Sequence, residues 1–259
     1  MGAMKIAAFD FDGTIFFDGR IPDTIGEAIH RWQEAGHLAV AATGRSLTAA
    51  EYVLRGYDIR FDYSVLYTGA VVTDRAGAVL HETYLDTPTV QRVVAELSTQ
   101  EGIAVYGTRL GKLDALFSDR CAKDAVSAIQ LEYEEMDPSE IPQYHFIGLP
   151  IRVPGNDTLQ KRLVAWIQDT VPVECVTNQD FIDIIPTGCT KGAGLAWLAG
   201  HLGVPQHEVE LYTFGDSFND LSMHAVADES FSFTWSPREV QEKTTHVVTG
   251  VEKPLEQLR

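Results

Sequence analysis

Long apolar runs are missing from this chain: no stretch approaches the ~18 residues that a membrane span requires, so no membrane partner is expected. Basic residues are scarce as well. Twenty Lys and Arg stand against 37 Asp and Glu, a formal net charge of −17, which leaves no basic face for nucleic acid or an anionic membrane. An anionic small substrate stays open, because a metal and a few local cations can invert the field inside a pocket. Cysteine is sparse: Cys121, Cys175 and Cys189 are an odd number with no C-x-x-C pair, as suits thiols in a reducing compartment. Neither G-x-x-x-x-G-K-[ST] nor G-x-S-x-G occurs, which speaks against a P-loop nucleotidase and a serine hydrolase. The histidines show no metal-ligand spacing; His37, His81, His145 and His201 read as surface or packing residues. Acids within the first dozen residues argue against a signal peptide. The expectation is a cytoplasmic protein.

What is present is ordinary globular material, 259 residues with 45% apolar and 22% charged, enough for one large domain or two smaller ones. The first third alternates strand and helix. Lys5–Phe9 reads as a buried strand, and Ile25, Ala28, Ile29 and Trp32 mark one face of a helix that Gly36 stops. The apolar run Leu38–Ala42, a helix over 46–54 and short strands over 64–67 and 71–73 follow. The last third repeats this grammar, with a helix over 191–202, a strand over 211–214, a helix over 219–225 and an apolar run over 231–234. Strands joined by helical crossovers imply a parallel sheet. The middle differs: helices near 90–98 and 159–169 lie among short strand-like runs, interrupted by an acidic, proline-bearing loop from Glu132 to Pro142. The expected class is α/β, a Rossmann-like parallel-sheet core (1–84 and 186–259) with an inserted α+β domain (85–185).

Four segments carry the chemistry, each at an element boundary. Asp10-Phe11-Asp12-Gly13-Thr14 closes the first strand, where period-two alternation puts both carboxylates on one side and glycine permits a tight turn. Thr43-Gly44-Arg45 ends the second strand; Thr190-Lys191-Gly192 opens a helix; Gly215-Asp216-Ser217-Phe218-Asn219-Asp220 leaves a later strand. In a parallel α/β sheet the strand carboxyl ends share one edge, so Asp10, Asp12, Thr43, Asp216 and Asp220 are expected to converge. Two unit charges ~4 Å apart at an effective dielectric of ~20 repel by roughly 4 kcal/mol. Such a cluster needs a cation within it. Oxygen ligands without His or Cys select a hard ion, Mg²⁺. Lys191, Thr43 and the amides beside Gly13 and Gly44 add donors suited to a phosphoryl group.

These motifs resemble those of the haloacid dehalogenase superfamily, in particular its Cof-type sugar-phosphatase branch. The resemblance spans essentially the whole chain, and the insertion corresponds to that branch's α/β cap of the second type. It implies a Mg²⁺-dependent phosphatase acting on a small phosphorylated metabolite, such as a sugar phosphate. Asp10 would attack phosphorus and form an aspartyl-phosphate; Asp12 would protonate the leaving group and then activate water. Asp10, the backbone carbonyl of Asp12, and Asp216 would hold the metal, with Asp220 supporting that shell. Phe11, Thr43, Gly44, Arg45, Lys191 and Asn219 would hold phosphate or substrate.

Two departures from the branch's pattern bear on the pocket wall: Thr68-Gly69 replaces the usual Asn-Gly, and Trp235-Ser236-Pro237 stands where an Asn-Ala pair is common. Arg45 reads equally as a substrate ligand or a solvated charge at a helix start. Gly107–Lys112, with Arg109, reads as a plain hairpin loop more readily than a substrate-selecting one, and Asp183 as a charge on an edge strand. Trp32, Trp166 and Trp197 are placed on apolar helix faces. The rival functions are a phosphomutase of the same superfamily and a non-catalytic phosphometabolite-binding module. The oligomeric state is left open.

Overall fold

The computed structural model describes residues 3–123, 133–178 and 180–259. They form two compact units: Met1–His81 together with Thr190–Arg259, and Glu82–Cys189.

The first unit is built on an eight-stranded sheet. Its strands run, in spatial order, His246–Val248, Glu229–Phe233, Val209–Phe214, Met4–Phe9, Leu38–Ala42, Tyr63–Leu66, Val71–Asp74 and Val79–Glu82. The first six are mutually parallel, and Val71–Asp74 turns back antiparallel. The central strands are near-continuous apolar runs because both faces are covered. Ile6, Ala8, Val40, Ala42 and Val65 pack on one face with Leu195 and Leu198 of the helix Lys191–His201. The opposite face carries Phe9, Phe214 and Phe231, stacked ring on ring at 5.1 and 4.7 Å. Trp32, wholly buried on the helix Asp23–Glu34, meets Tyr212 edge-on. Thr190 caps the helix that follows it, its hydroxyl accepting the Ala193 N–H at 3.0 Å. That cap fixes Lys191 as the first helical residue.

The inserted unit holds a six-stranded sheet in the order Val173–Asn178, Phe181–Pro186, Leu149–Arg152, Ala104–Gly107, Asp114–Asp119, Tyr133–Glu135. Its helices Thr87–Leu97 and Asp157–Thr170 begin at Asp86 and Asn156, whose side chains accept the Thr89 and Leu159 N–H groups. Val90, Val93, Val94, Leu159, Leu163 and Ile167 from these helices bury Val105, Ala115, Ile151, Ile182 and Ile184 of the sheet. A small second cluster, Ala104, Tyr106, Leu116 and Phe181, lies on the alternate set of strand positions.

The α/β class and parallel-sheet core are as expected, with local corrections. Phe181–Pro186 is an interior strand, so Asp183 is not an edge charge. Burial, reinforced by the Asp114 carboxylate, pushes its pKa up to about 7. The expected acidic loop 132–142 contains the strand Tyr133–Glu135 and a 3-10 turn over Pro138–Gln143, because Asp137 accepts the Ser139 N–H ahead of the proline; Glu132 lies outside the described residues. Gly107–Lys112 is indeed a hairpin loop, but Arg109 points inward. It donates to the Leu113 carbonyl and to Glu134 and lies over the Tyr144 ring. Trp166 and Trp197 are only partly buried, unlike Trp32. Among the described residues no helix is long and apolar enough to cross a membrane.

Truncating Leu163, 5% exposed in the inserted unit's core, tests that packing. Leu163→Ala is expected to cost about 2–5 kcal/mol in urea denaturation; a loss below about 1 kcal/mol would show that the helix Asp157–Thr170 is not packed as described.

Candidate active site

Strand pairing delivers the first two acids to one place. Met4–Phe9 and Val209–Phe214 run parallel in register, Phe9 opposite Phe214, and the ladder continues one bond further with Asp10 N–H to the Phe214 carbonyl at 2.9 Å. The next residues on each side, the Asp10 carboxylate and the Gly215-Asp216 turn, therefore leave the sheet side by side. Lys191 enters from the start of its capped helix. Its ammonium, with no exposed surface, donates to Asp10 Oδ1 and Asp220 Oδ1, both at 2.6 Å.

Two glycines make the convergence possible. A Cβ on Gly13 (φ +81°) would lie 2.5 Å from Asp216 Oδ2, and one on Gly215 would lie 2.4 Å from Asp220 Cγ. Each glycine is a seat for a carboxylate, and no other residue leaves room. Gly69 has a comparable restriction: at φ +102° its Cβ would collide with the Thr190 carbonyl, so the turn after Tyr63–Leu66 lies directly against the entry to the Lys191 helix.

The electrostatics follow from burial. Asp10 is pushed up to about 8, mainly by loss of solvent, with Lys191 pulling the other way and Asp220 and Asp216 adding to the rise. Asp216 is pushed up to about 7 by burial and then by Asp220. Burial opposes charge on Lys191, but the Asp10 and Asp220 carboxylates outweigh it and hold the ammonium protonated. Three carboxylates against one ammonium leave the pocket two charges short of balance. Either protons or a divalent cation must fill the deficit.

The residues present fit the cation. Asp10, Asp216 and Asp220 each offer an oxygen, all within 4.8 Å of one another. Asp216 Oδ1 is buried without a hydrogen-bond partner, and an all-oxygen donor set suits Mg²⁺. Asp220 differs from the other two: Lys191 takes its Oδ1 and the Ser217 N–H its Oδ2 at 3.0 Å. Its part is to hold Lys191 and the Ser217 turn.

The other expected residues are placed as follows. The first strand ends at Phe9, so strand alternation does not govern Asp12. Asp12 stands in the turn, its side chain 45% exposed and outside the carboxylate cluster, gripped by Arg45 through Nε to Oδ2 at 2.7 Å and Nη2 to Oδ1 at 2.6 Å. Arg45 is therefore neither free nor simply solvated; Phe16 lies under its guanidinium. Thr43 is buried, its hydroxyl accepting the Arg45 N–H at 3.2 Å. Gly44 faces the Thr68 hydroxyl, 3.4 Å from where its Cβ would stand. Asn219 accepts a hydrogen bond from the Ser217 hydroxyl at 2.6 Å. Phe11 is wholly buried against Phe61, so only its backbone could face a ligand.

Sequence reasoning gave several neighbours no role, though it quoted Ser217 within the fourth motif and marked Thr68 and Trp235 as departures in the pocket wall. Ser217 organises the fourth motif through both its N–H and its hydroxyl. His224 bonds Thr213 behind the site, and Asp220 is one of the charges acting on its ring. Tyr67 and Thr68 both adopt positive φ. Trp235 donates its indole N–H to the Gly13 carbonyl at 2.9 Å. The departure from Asn-Ala was the only sequence signal of Trp235, and it carried no direction.

A sequence profile of the family described as haloacid dehalogenase-like hydrolase matches residues 7–253. The chain belongs to that family. The four motifs implied as much, and membership makes it an enzyme, a haloacid dehalogenase-like hydrolase. Among curated relatives, the HMP-PP phosphatase of Klebsiella pneumoniae is 25% identical over 242 residues, covering 88% of this chain and 83% of that protein. The HMP-PP phosphatase of Yersinia pseudotuberculosis is 27% identical over 231 residues, covering 85% and 80%. Two solved structures share the fold. A haloacid dehalogenase-like hydrolase from B. subtilis superposes with TM-score 0.83 at 18% identity, covering 99% of this chain and all of that one (100%). A subclass IIB sugar phosphatase gives TM-score 0.80 at 19% identity, covering 98% and 99%.

The raised carboxyls have a thermodynamic signature. A group that holds its proton more tightly folded than unfolded stabilises the fold at low pH, and that contribution is lost as pH rises through the folded value. With Asp10 at about 8 and Asp216 at about 7 against an ordinary 3.8, metal-free protein is expected to lose thermal stability steadily across that window. Mg²⁺ binds the ionised carboxylates, so its stabilising effect grows in the same direction. Melting curves with EDTA or Mg²⁺ should separate more at about pH 8 than at about pH 5; equal separations would show that the cluster does not bind the ion.

Proposed function

We propose that the protein is a Mg²⁺-dependent phosphomonoester hydrolase acting on small phosphorylated metabolites, sugar phosphates among them, through an aspartyl-phosphate on Asp10. One observation carries the reading: a buried lysine holds one oxygen of Asp10 while Asp216, with an unpartnered oxygen, lies in the same pocket. A carboxylate so held is oriented, and its second oxygen is left to attack.

In this reading Asp10 and Asp216, with the backbone carbonyl of Asp12, hold Mg²⁺, which when bound neutralises the carboxylates and the phosphoryl oxygens so that an anionic nucleophile can meet an anionic ester. The free oxygen of Asp10 forms a bond to phosphorus as the bond to the leaving oxygen breaks, and Asp12 gives that oxygen a proton. Asp12 then takes a proton from water; the water oxygen bonds phosphorus, the Asp10–phosphorus bond breaks, and inorganic phosphate leaves with Asp10 restored as a carboxylate. Lys191, Thr43, the Gly44 N–H and Asn219 meet the spreading phosphoryl charge. Arg45 has a part in the order of events. While it grips both oxygens of Asp12, Asp12 is an acceptor only, so Arg45 must turn away, towards the phosphate, before Asp12 can carry a proton.

The chain's similarity to an HMP-PP phosphatase and to a sugar phosphatase supports a small organic phosphate as substrate. The division of labour is part of the same proposal, with 1–84 and 186–259 as the catalytic core and 85–185 as a cap that selects the leaving group.

Asp10→Asn is expected to abolish phosphate release from p-nitrophenyl phosphate while the protein still folds, at a lowered melting temperature because Lys191 loses one of its two carboxylate partners; appreciable turnover would move the nucleophile elsewhere. EDTA should silence the wild type and Mg²⁺ restore it, with Ca²⁺ a poor substitute because of its looser coordination. Phosphate release in the absence of any bisphosphate separates this reading from a phosphomutase.

A further inference from the structure

We propose that Trp235 is a positioning residue for the metal pocket: its indole N–H pins the Gly13 carbonyl, and Gly13 in turn seats Asp216. The inference rests on the phosphatase reading for its catalytic readout, but its geometry stands independently.

The route of the contact is unusual for a residue 46% exposed. Trp235 follows the strand Glu229–Phe233, which is not a neighbour of Met4–Phe9; Val209–Phe214 lies between them. The indole therefore reaches past the end of that intervening strand, the one whose turn carries Asp216, to bond a residue 222 positions away in sequence. Its ring is fixed before it arrives. One face stacks on the buried Phe233 at 4.7 Å and 9°, and Phe17 meets it edge-to-face at 5.7 Å.

Gly13 is where this matters. Its N–H donates to the Phe16 carbonyl at 3.1 Å, and the following N–H, of Thr14, donates to Phe11 at 3.1 Å. The Gly13 carbonyl, on the same peptide as the Thr14 N–H, is taken by Trp235. Glycine at positive φ has little torsional resistance of its own, so the orientation of the Gly13–Thr14 peptide depends on these bonds. The Gly13 Cα stands against the Asp216 carboxylate, with no room for a Cβ. A peptide free to rotate would let that seat shift, and with it the oxygen that has no protein partner. Trp235 thus acts on Asp216 through Gly13, without touching substrate or reacting atoms.

The test removes one N–H. Site-specific replacement of Trp235 by β-(3-benzothienyl)alanine keeps the bicyclic ring and puts sulfur in place of the donor; Trp235→Phe serves as a simpler companion. Three readouts are taken: amide hydrogen exchange across 10–17, Mg²⁺ affinity by calorimetry, and kcat and KM for p-nitrophenyl phosphate. A net hydrogen bond of ordinary strength corresponds to about a threefold to tenfold change. The benzothienyl protein is expected to exchange faster across the turn, bind Mg²⁺ about threefold to tenfold more weakly and lose kcat by a similar factor, with KM and melting temperature nearly unchanged. Wild-type exchange and Mg²⁺ affinity in that protein would overturn the proposal, as would a fall in melting temperature with Mg²⁺ affinity intact, which is the mark of a purely structural ring. If the wild type releases no phosphate from any ester, the phosphatase reading fails, while the exchange and calorimetry arms still decide the role of Trp235.

Discussion

A lysine ammonium without solvent contact, held at 2.6 Å by two carboxylates, is the interaction around which the first unit is organised. A buried charge is tolerated only when its partners are supplied, and removing one partner of such a pair typically costs about 3–5 kcal/mol. Lys191 and Asp10 are 181 residues apart, on opposite sides of the insertion. Their pairing therefore makes a single unit of two chain segments that sequence order would separate. The same bond leaves one oxygen of Asp10 uncommitted to Lys191, so what stabilises the pocket also orients that carboxylate.

The legible part of the site is the part written in side-chain chemistry at element ends. Asp10, Lys191, Asp216 and Asp220 were recognisable because each acid or cation follows an apolar strand or opens a helix, and parallel topology brings such ends together. The parallel core was legible for the same reason: Met4–Phe9, Leu38–Ala42 and Val209–Phe214 are rich in apolar residues, and their carboxyl-terminal halves are buried on both faces. Strands that lack this signature escaped notice. Val79–Glu82 and His246–Val248 are short, half-exposed and mixed in polarity, and only their place at the two sheet edges makes them strands. Asp183 was misjudged because an acid in a strand is ordinarily exposed, and whether Phe181–Pro186 is flanked on both sides is settled by long-range pairing alone. Arg45 could not be read because its partner, Asp12, lies across a strand boundary, and Trp235 because a hydrogen bond to a carbonyl leaves no mark on the residue that accepts it.

Glycine contributes differently from the charged residues. A Cβ on Gly13 or Gly215 would stand within 3 Å of the Asp216 or Asp220 side chain. Their role is volume: carboxylates that repel one another can be packed this closely only if the surrounding chain yields space, and the remaining charge imbalance is then concentrated where a cation can answer it. Substituting the acids changes the pocket's charge, whereas substituting these glycines would change its size.

Thr68 stands in the left-handed region at φ 55°, a conformation that a β-branched residue adopts only at some energetic cost. Its hydroxyl lies beside the Gly44 turn, and its N–H is bonded to the Thr43 carbonyl. Glycine there would relax the backbone and at the same time delete the hydroxyl that stands beside the Gly44 turn. At this position backbone ease and side-chain contact pull in opposite directions, and the residue the chain carries keeps the hydroxyl at the expense of the backbone.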